Sequence, residues 1–260
     1  MKEKVQVCAA TEFIYLPPIH SAQKILVKPN LGYPVAAPVT VSMQVLGEVL
    51  QGLRRSNPGA EILIVEGVCS PLSLAEIAAK LGVYGLLDPG MVLLDADELA
   101  IAEYENLSPA PVRFKSMFAP ALLREVDFCL SVGCLKRTQL KGEPLISASL
   151  KNLYGLLPRS RYHARSLNSR GQLHRPSVPL ILQDVYFSIG YLFGGGVVDA
   201  IAKFHSRDWQ PDRGTGIPWG KVFYGDDLIA VDQVACELGD EPLPGYLHQI
   251  TQLRSQQRSG

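Results

Sequence analysis

The chain has 260 residues, its Lys+Arg 25 match its Asp+Glu 25, and 47% of it is apolar against 19% charged. That composition excludes a disordered chain, which is poor in apolar residues, and a general polyanion binder, which carries an overall basic excess. At this length a compact chain buries roughly three quarters of its extended surface, enough for one large α/β domain or two joined lobes.

Neither an address nor an anchor is expected. MKEKVQVCAATEF is charged but leads into no apolar run of signal-peptide length. The longest apolar stretch, Val185 to Val198, has Asp184 and Asp199 at its ends and three consecutive glycines inside it; a membrane helix needs about 20 apolar residues. Cys8, Cys69, Cys129, Cys134 and Cys236 are scattered, with no C-x-x-C pair, so free thiols in a reducing compartment are expected and a structural zinc is not. The expectation is a soluble, cytoplasmic protein.

In chain order, Gln23 to Val27 is a short apolar strand ended by Lys28-Pro29-Asn30, where the proline disfavours helix at Lys28. Val41, Val45, Leu46, Val49 and Leu53 predict a helix over 39–55. Glu61 to Val65 is the next strand, a helix follows over 72–81 with Gly82 as its terminal glycine, and Met91 to Leu94 is a further strand. A short helix over 119–125 leads into a strand over 126–132, residues 144–179 read as basic loop, and Pro179 to Gly190 fits helix or buried strand equally. Strands over 197–204 and 221–224 and an amphipathic helix over 227–238 complete the pattern, before a polar C-terminal stretch expected to fray. The rhythm predicts an α/β fold with mainly parallel sheets covered by helices and two closely joined lobes with a cleft between them: 1–125, 126–243 carrying the basic loops, and a polar tail over 244–260.

Charge is unevenly spread. From Phe128 to Gln183 nine cations (Lys136, Arg137, Lys141, Lys151, Arg159, Arg161, Arg165, Arg170 and Arg175) face Glu143 alone, a local excess of +8 that the rest of the chain cancels. Such a region suits an anionic ligand, although a solvated face with acidic partners supplied by the fold also accounts for it. The glycines at 194–196 and the segment GIPWGK match no phosphate-loop spacing and fit turns equally well. Asp184, Asp199, Asp226, Asp227 and Asp232 gather in the C-terminal part; Asp227 can cap the helix it precedes, and carboxylates at strand ends of open sheets also meet ligands. Among the cations, Lys151 and His163 are the candidates for acid or base, since neighbouring positive charge lowers their pKa.

Four segments occur together in order: ILVKPNLG (25–32), VDFCLSVGCLKRT (126–138), ISASLKNLYGLLP (146–158) with His163 after it, and FYGDDLIAVDQVACELG (223–239). This set resembles the domain-of-unknown-function 362 family, with its IKPN strand end, LK-T-H element, LKN-FG segment and closing DP-AVD helix. The resemblance covers residues 23 to 240. It implies a shared site lined by Lys28, Asn30, Lys136, Lys151, Asn152, His163, Asp226 and Asp232. Many members carry ferredoxin-like iron–sulfur modules, which implies redox work and a possible redox partner protein for them; this chain has no C-x-x-C-x-x-C run, so no cluster of its own is expected. The histidine of the LK-T-H element is also missing, since Arg137, Thr138 and Gln139 follow Lys136. The family is also distantly similar to nickel-dependent lactate racemase in layout.

The expectation is therefore an enzyme acting on a small phosphate- or carboxylate-bearing metabolite. Lys28, Lys136 and Arg159 hold the anion, Asn30 and Asn152 orient it, Lys151 and His163 move protons, and Asp226 and Asp232 position a hydroxyl, an amine or a metal ion. A non-catalytic carrier of an anionic cofactor or partner is the alternative. Membrane binding is not expected, and nucleic acid is disfavoured because the basic stretch has few aromatics beyond Tyr154 and Tyr162.

Overall fold

The computed structural model describes residues 5–140, 142–208 and 213–259; Lys141, one of the nine cations, lies outside them. In chain order the elements are β1 (Gln6–Ala9), β2 (Lys24–Pro29), α1 (Met43–Ser56), β3 (Glu61–Glu66), α2 (Leu74–Leu81), β4 (Met91–Asp95), β5 (Ile101–Glu105), β6 (Ser116–Pro120) and β7 (Phe128–Leu140). They continue with β8 (Glu143–Ser147), α3 (Ser149–Asn152), α4 (Arg159–Tyr162), α5 (Val178–Ser188), β9 (Gly195–Ser206), β10 (Gly214–Gly225), α6 (Leu228–Leu238) and α7 (Gly245–Ser259).

Eight strands form one mixed sheet in the order β1-β10-β9-β7-β2-β3-β4, with β8 hairpinned onto β7. Its centre, β4-β3-β2-β7-β9, is parallel throughout. The α/β class and the mainly parallel sheet thus stand. Sequence on either side of residue 125 shares this sheet, because β2 pairs directly with β7 from Ile25↔Phe128 to Pro29↔Val132. Continuous apolar runs are what a parallel sheet covered on both faces requires. Ile25, Val27, Ile62 and Ile64 face a core completed by Val45, Val49 and Leu53 of α1. Leu26, Leu63 and Val65, one step out of phase, face Ile181 and Val185 of α5.

Local chemistry sets the helix limits. Ser42 caps α1, accepting from Val45 N at 3.2 Å, so residues 39–41 remain in the loop, where Val41 N bonds Asn30 O at 3.0 Å. Ser73 and Glu76 form a reciprocal capping box that starts α2 at Leu74, and Gly82 closes it in the left-handed conformation.

Three expectations are corrected and one left open is resolved. Residues 116–120 form β6, paired antiparallel with β5, and only 121–124 coil, as a 3-10 turn; Pro120 disfavours helix at Ala119. The undecided segment is α5, with Pro179 in its first turn, where a missing N–H costs nothing. The basic loop region contains β8, α3 and α4. The polar tail is helix α7, because Tyr246, Leu247 and Ile250 form a buried stripe against the α5 core. Gly194 precedes β9 and Gly195 and Gly196 open it, all without positive φ, whereas Gly220 has φ +71. No helix among the described residues is long and apolar enough to cross a membrane.

Candidate functional site

From β2 the chain steps outward through β3 to β4, while β7 lies on the other flank of β2. The gap beyond the C-terminal ends of β2 and β7 is therefore the point where the winding reverses, the usual ligand crevice of an open parallel sheet. Lys28, one residue before the end of β2, is fully buried. Its Nζ donates to Glu66 Oε1 at 2.7 Å, Pro29 O at 2.8 Å and Asn152 Oδ1 at 3.2 Å. All three ammonium protons are consumed inside the protein, and burial still pushes this lysine's pKa down despite the Glu66 charge. Glu66 in turn accepts from Gly67 N at 2.8 Å and Leu31 N at 2.6 Å.

The hydrogen bonds continue across the sheet. Asn152 donates to Lys28 O at 2.7 Å and Ser131 Oγ at 3.1 Å, and Ser131 Oγ donates to Ser149 O at 2.8 Å. Asp232, buried on α6, accepts from Ser149 N and Oγ at 2.8 and 2.6 Å and from Leu150 N at 3.0 Å. It thereby satisfies the amides at the start of α3 that have no partner within the helix, the helix that carries Lys151 and Asn152. Burial raises the Asp232 carboxyl to about 6, against the pull of these donors. Gly155 completes the packing: a Cβ there would collide with Glu66 Oε1 and Lys28 Nζ, and one on Gly67 would strike Gly155 O.

In front of this network lie two lysines without carboxylate partners among the described residues. Lys136 on β7 donates to Val39 O at 2.8 Å, and burial lowers its pKa. Lys151 is half-buried, with its Nζ 5.9 Å from the Tyr154 ring centroid. Burial first, and then the Lys136 charge, lower it from 10.5 to about 8. Asn30 is half-buried at the same strand end, bonded to Val132 O and Val41 N through its backbone.

Other expected site residues are committed elsewhere. Arg159 is tied to Asp97, whose carboxylate takes its Nε and backbone N at 2.6 Å each. His163 follows α4 with Nδ1 3.0 Å from Ala164 O and contacts none of the three lysines. Asp226 is exposed beside the Gly190–Phe193 segment that enters β9, on a cavity of about 390 Å³ away from the lysines. Asp227 caps α6 through Ala230 N at 2.9 Å. Asp184 accepts from Asn106, Val112, Arg113 and Phe114 to hold the 106–114 loop. The +8 excess is thinned in the same way: Arg137 lies 3.2 Å from buried Glu241, and Arg170 pairs with Asp97.

Three residues that the sequence did not single out belong here. Glu66 ends an apolar strand, an isolated charge at a position that a parallel sheet buries. Arg170 is itself buried and donates to Leu157 O, Val68 O, Gly155 O and Cys69 Sγ. Cys69, half-buried, follows β3 with its amide on Gly32 O at 2.9 Å. Among the described residues no group of three or more His, Cys, Asp or Glu side chains is placed to hold a metal ion.

A family model described as a domain of unknown function (DUF362) matches residues 25–237, most of the chain. The chain belongs to the DUF362 family. The four segments that carry the resemblance supply Lys28, Ser131, Lys136, Ser149, Lys151, Asn152 and Asp232, so the DUF362 signature converges on the buried network and on the two lysines before it. Of solved structures, the lactate racemase apoprotein from Thermoanaerobacterium thermosaccharolyticum is similar, at 14% identity and a TM-score of 0.49 over 84% of this chain. The match takes in 49% of that protein, so the chain spans about half its length. No curated protein matches the sequence.

Proposed function

We propose that this chain binds a small phosphate- or carboxylate-bearing metabolite at Lys151 and Lys136, beyond the ends of β2 and β7, and acts on it as an enzyme. The observation that carries the reading is Lys151: a half-buried ammonium with no carboxylate among the described residues, beside a second lysine. Desolvating like charges together costs stability unless something negative offsets it. Asn30 is placed to orient the anion. A lysine shifted to about 8 exchanges its proton near neutral pH, which suits general acid–base work. Lys28, Asn152, Asp232 and Glu66 serve as the frame that positions α3. Isothermal titration calorimetry with inorganic phosphate and with succinate tests the reading. Binding is expected at pH 7 and weakens as pH rises through about 8, where Lys151 loses its proton. Lys151→Met costs at least about tenfold in affinity, or ~1.4 kcal/mol. Equal affinity in wild type and Lys151→Met, or a pH-independent affinity, contradicts it.

A further inference from the structure

At the far end of β7 a histidine with no part in the anion site joins three elements. The parallel ladder of β7 and β9 breaks after Cys134↔Asp199, and beyond the break the register continues with Lys136↔Phe204 and Arg137↔His205. Half-buried His205 thus stands opposite Arg137. Its Nε2 lies 2.6 Å from Oε1 of buried Glu241, in the linker between α6 and α7, and its Nδ1 lies 3.2 Å from Arg137 Nη2. Arginine offers N–H groups and no acceptor, so the second bond forms only where Nδ1 is bare. Nε2 then carries the proton of the neutral ring and donates it to Glu241. Arg137 Nη1 also lies 3.2 Å from Glu241 Oε2, but that oxygen makes no aligned hydrogen bond. The guanidinium is therefore held chiefly through His205.

The other charges around the ring lie on β9 itself. Lys203, on the same face two residues earlier, is 3.1 Å from Glu241 Oε1 and donates to Gly239 O at 2.6 Å. Arg207, two residues later, is exposed, and the residue opposite His205 on β10 is Thr215, which does not titrate in this range. A proton added to the ring changes one of its two contacts. Nε2 bears hydrogen in the neutral ring and in the imidazolium alike, so Glu241 keeps its donor. Nδ1 turns from acceptor to donor, and N–H then faces N–H across two like charges. The Arg137 side chain is 35% exposed and has solvent to move into.

We propose that His205 is a proton-operated clasp on this end of the sheet: neutral, it ties Arg137 of β7 to β9 and Glu241; protonated, it releases Arg137 and loosens the short ladder that also carries Lys136. The clasp stands independently of the anion reading. Its closed form requires a bare Nδ1, so it is favoured as pH rises and lost as pH falls through the range of about 5 to 8 in which imidazoles exchange protons.

Hydrogen exchange of the full chain at pH 5 and pH 7, read by peptide mass spectrometry and corrected for the intrinsic pH dependence of exchange, tests this. Peptides covering 135–140 and 203–206 are expected to exchange at least about tenfold faster at pH 5, the loss of one charge-assisted hydrogen bond. Peptides over β2 and β3 stay protected, which shows that the chain remains folded. In His205→Gln the side-chain amide still donates to Glu241 and its oxygen still accepts from Arg137, with nothing to titrate, so the added exchange at pH 5 disappears. Ring nitrogen NMR at pH 7 is expected to show the proton on Nε2. Equal corrected rates at the two pH values overturn the clasp, as does a neutral ring protonated on Nδ1. A response that persists in His205→Gln also overturns it and assigns the effect to another group, Asp232 among them.

Discussion

Lys28 gives all three ammonium protons to the protein, whereas Lys151 gives none to a carboxylate among the described residues. The two therefore respond differently to removal. Lys28→Met leaves Glu66 charged and buried, and should cost about 3–5 kcal/mol in urea denaturation; Lys28→Met with Glu66→Gln should recover much of that loss. Lys151→Met removes a desolvated cation and should leave stability unchanged or slightly raised at pH 7. Both lysines stood out in the sequence within the KPN and SLKN segments. Their division of labour did not, since the burial of Lys28 depends on Glu66, a residue of another strand. The ion pair of Arg159 was hidden for the same reason: its partner Asp97 lies in the loop after β4, far from it in the chain.

At the level of elements, α3 is only four residues long, too short to hold its own geometry. Asp232 holds it, and the pH dependence follows from that burial. The folded-state pKa of about 6 lies above the ordinary 3.8 of an aspartate, so between those values the folded chain retains a proton that the unfolded chain has lost. This group's contribution is full below the lower value and declines as pH rises through about 6. Asp232→Asn should abolish that slope in urea melts from pH 4 to 7. It should also cost about 1–3 kcal/mol at pH 7, because an amide N–H replaces the acceptor of Leu150 N. Strands β2 and β3 were readable from apolar runs and α1 from its spacing. The helix expected over 119–125 failed because pairing with β5 outweighed the local pattern.

Across the whole molecule, sequence from both halves builds one sheet, and the family-matching segments meet where its winding reverses. The last helix is part of that body. Tyr246, Leu247 and Ile250 are buried against the core that α5 builds, so a chain ending at Pro244 should lose about 5 kcal/mol or more of stability in thermal or urea unfolding. An unchanged midpoint would mean that α7 is dispensable. Its short apolar stripe was hidden in the sequence by polar neighbours on every other face. The most direct test of the central claim is the pKa of the Lys151 Nζ, followed by NMR titration with and without inorganic phosphate. A value near 8 in the ligand-free chain, rising when phosphate binds, is the expected result; an ordinary value near 10.5, the same with and without phosphate, would contradict an anion site at this lysine.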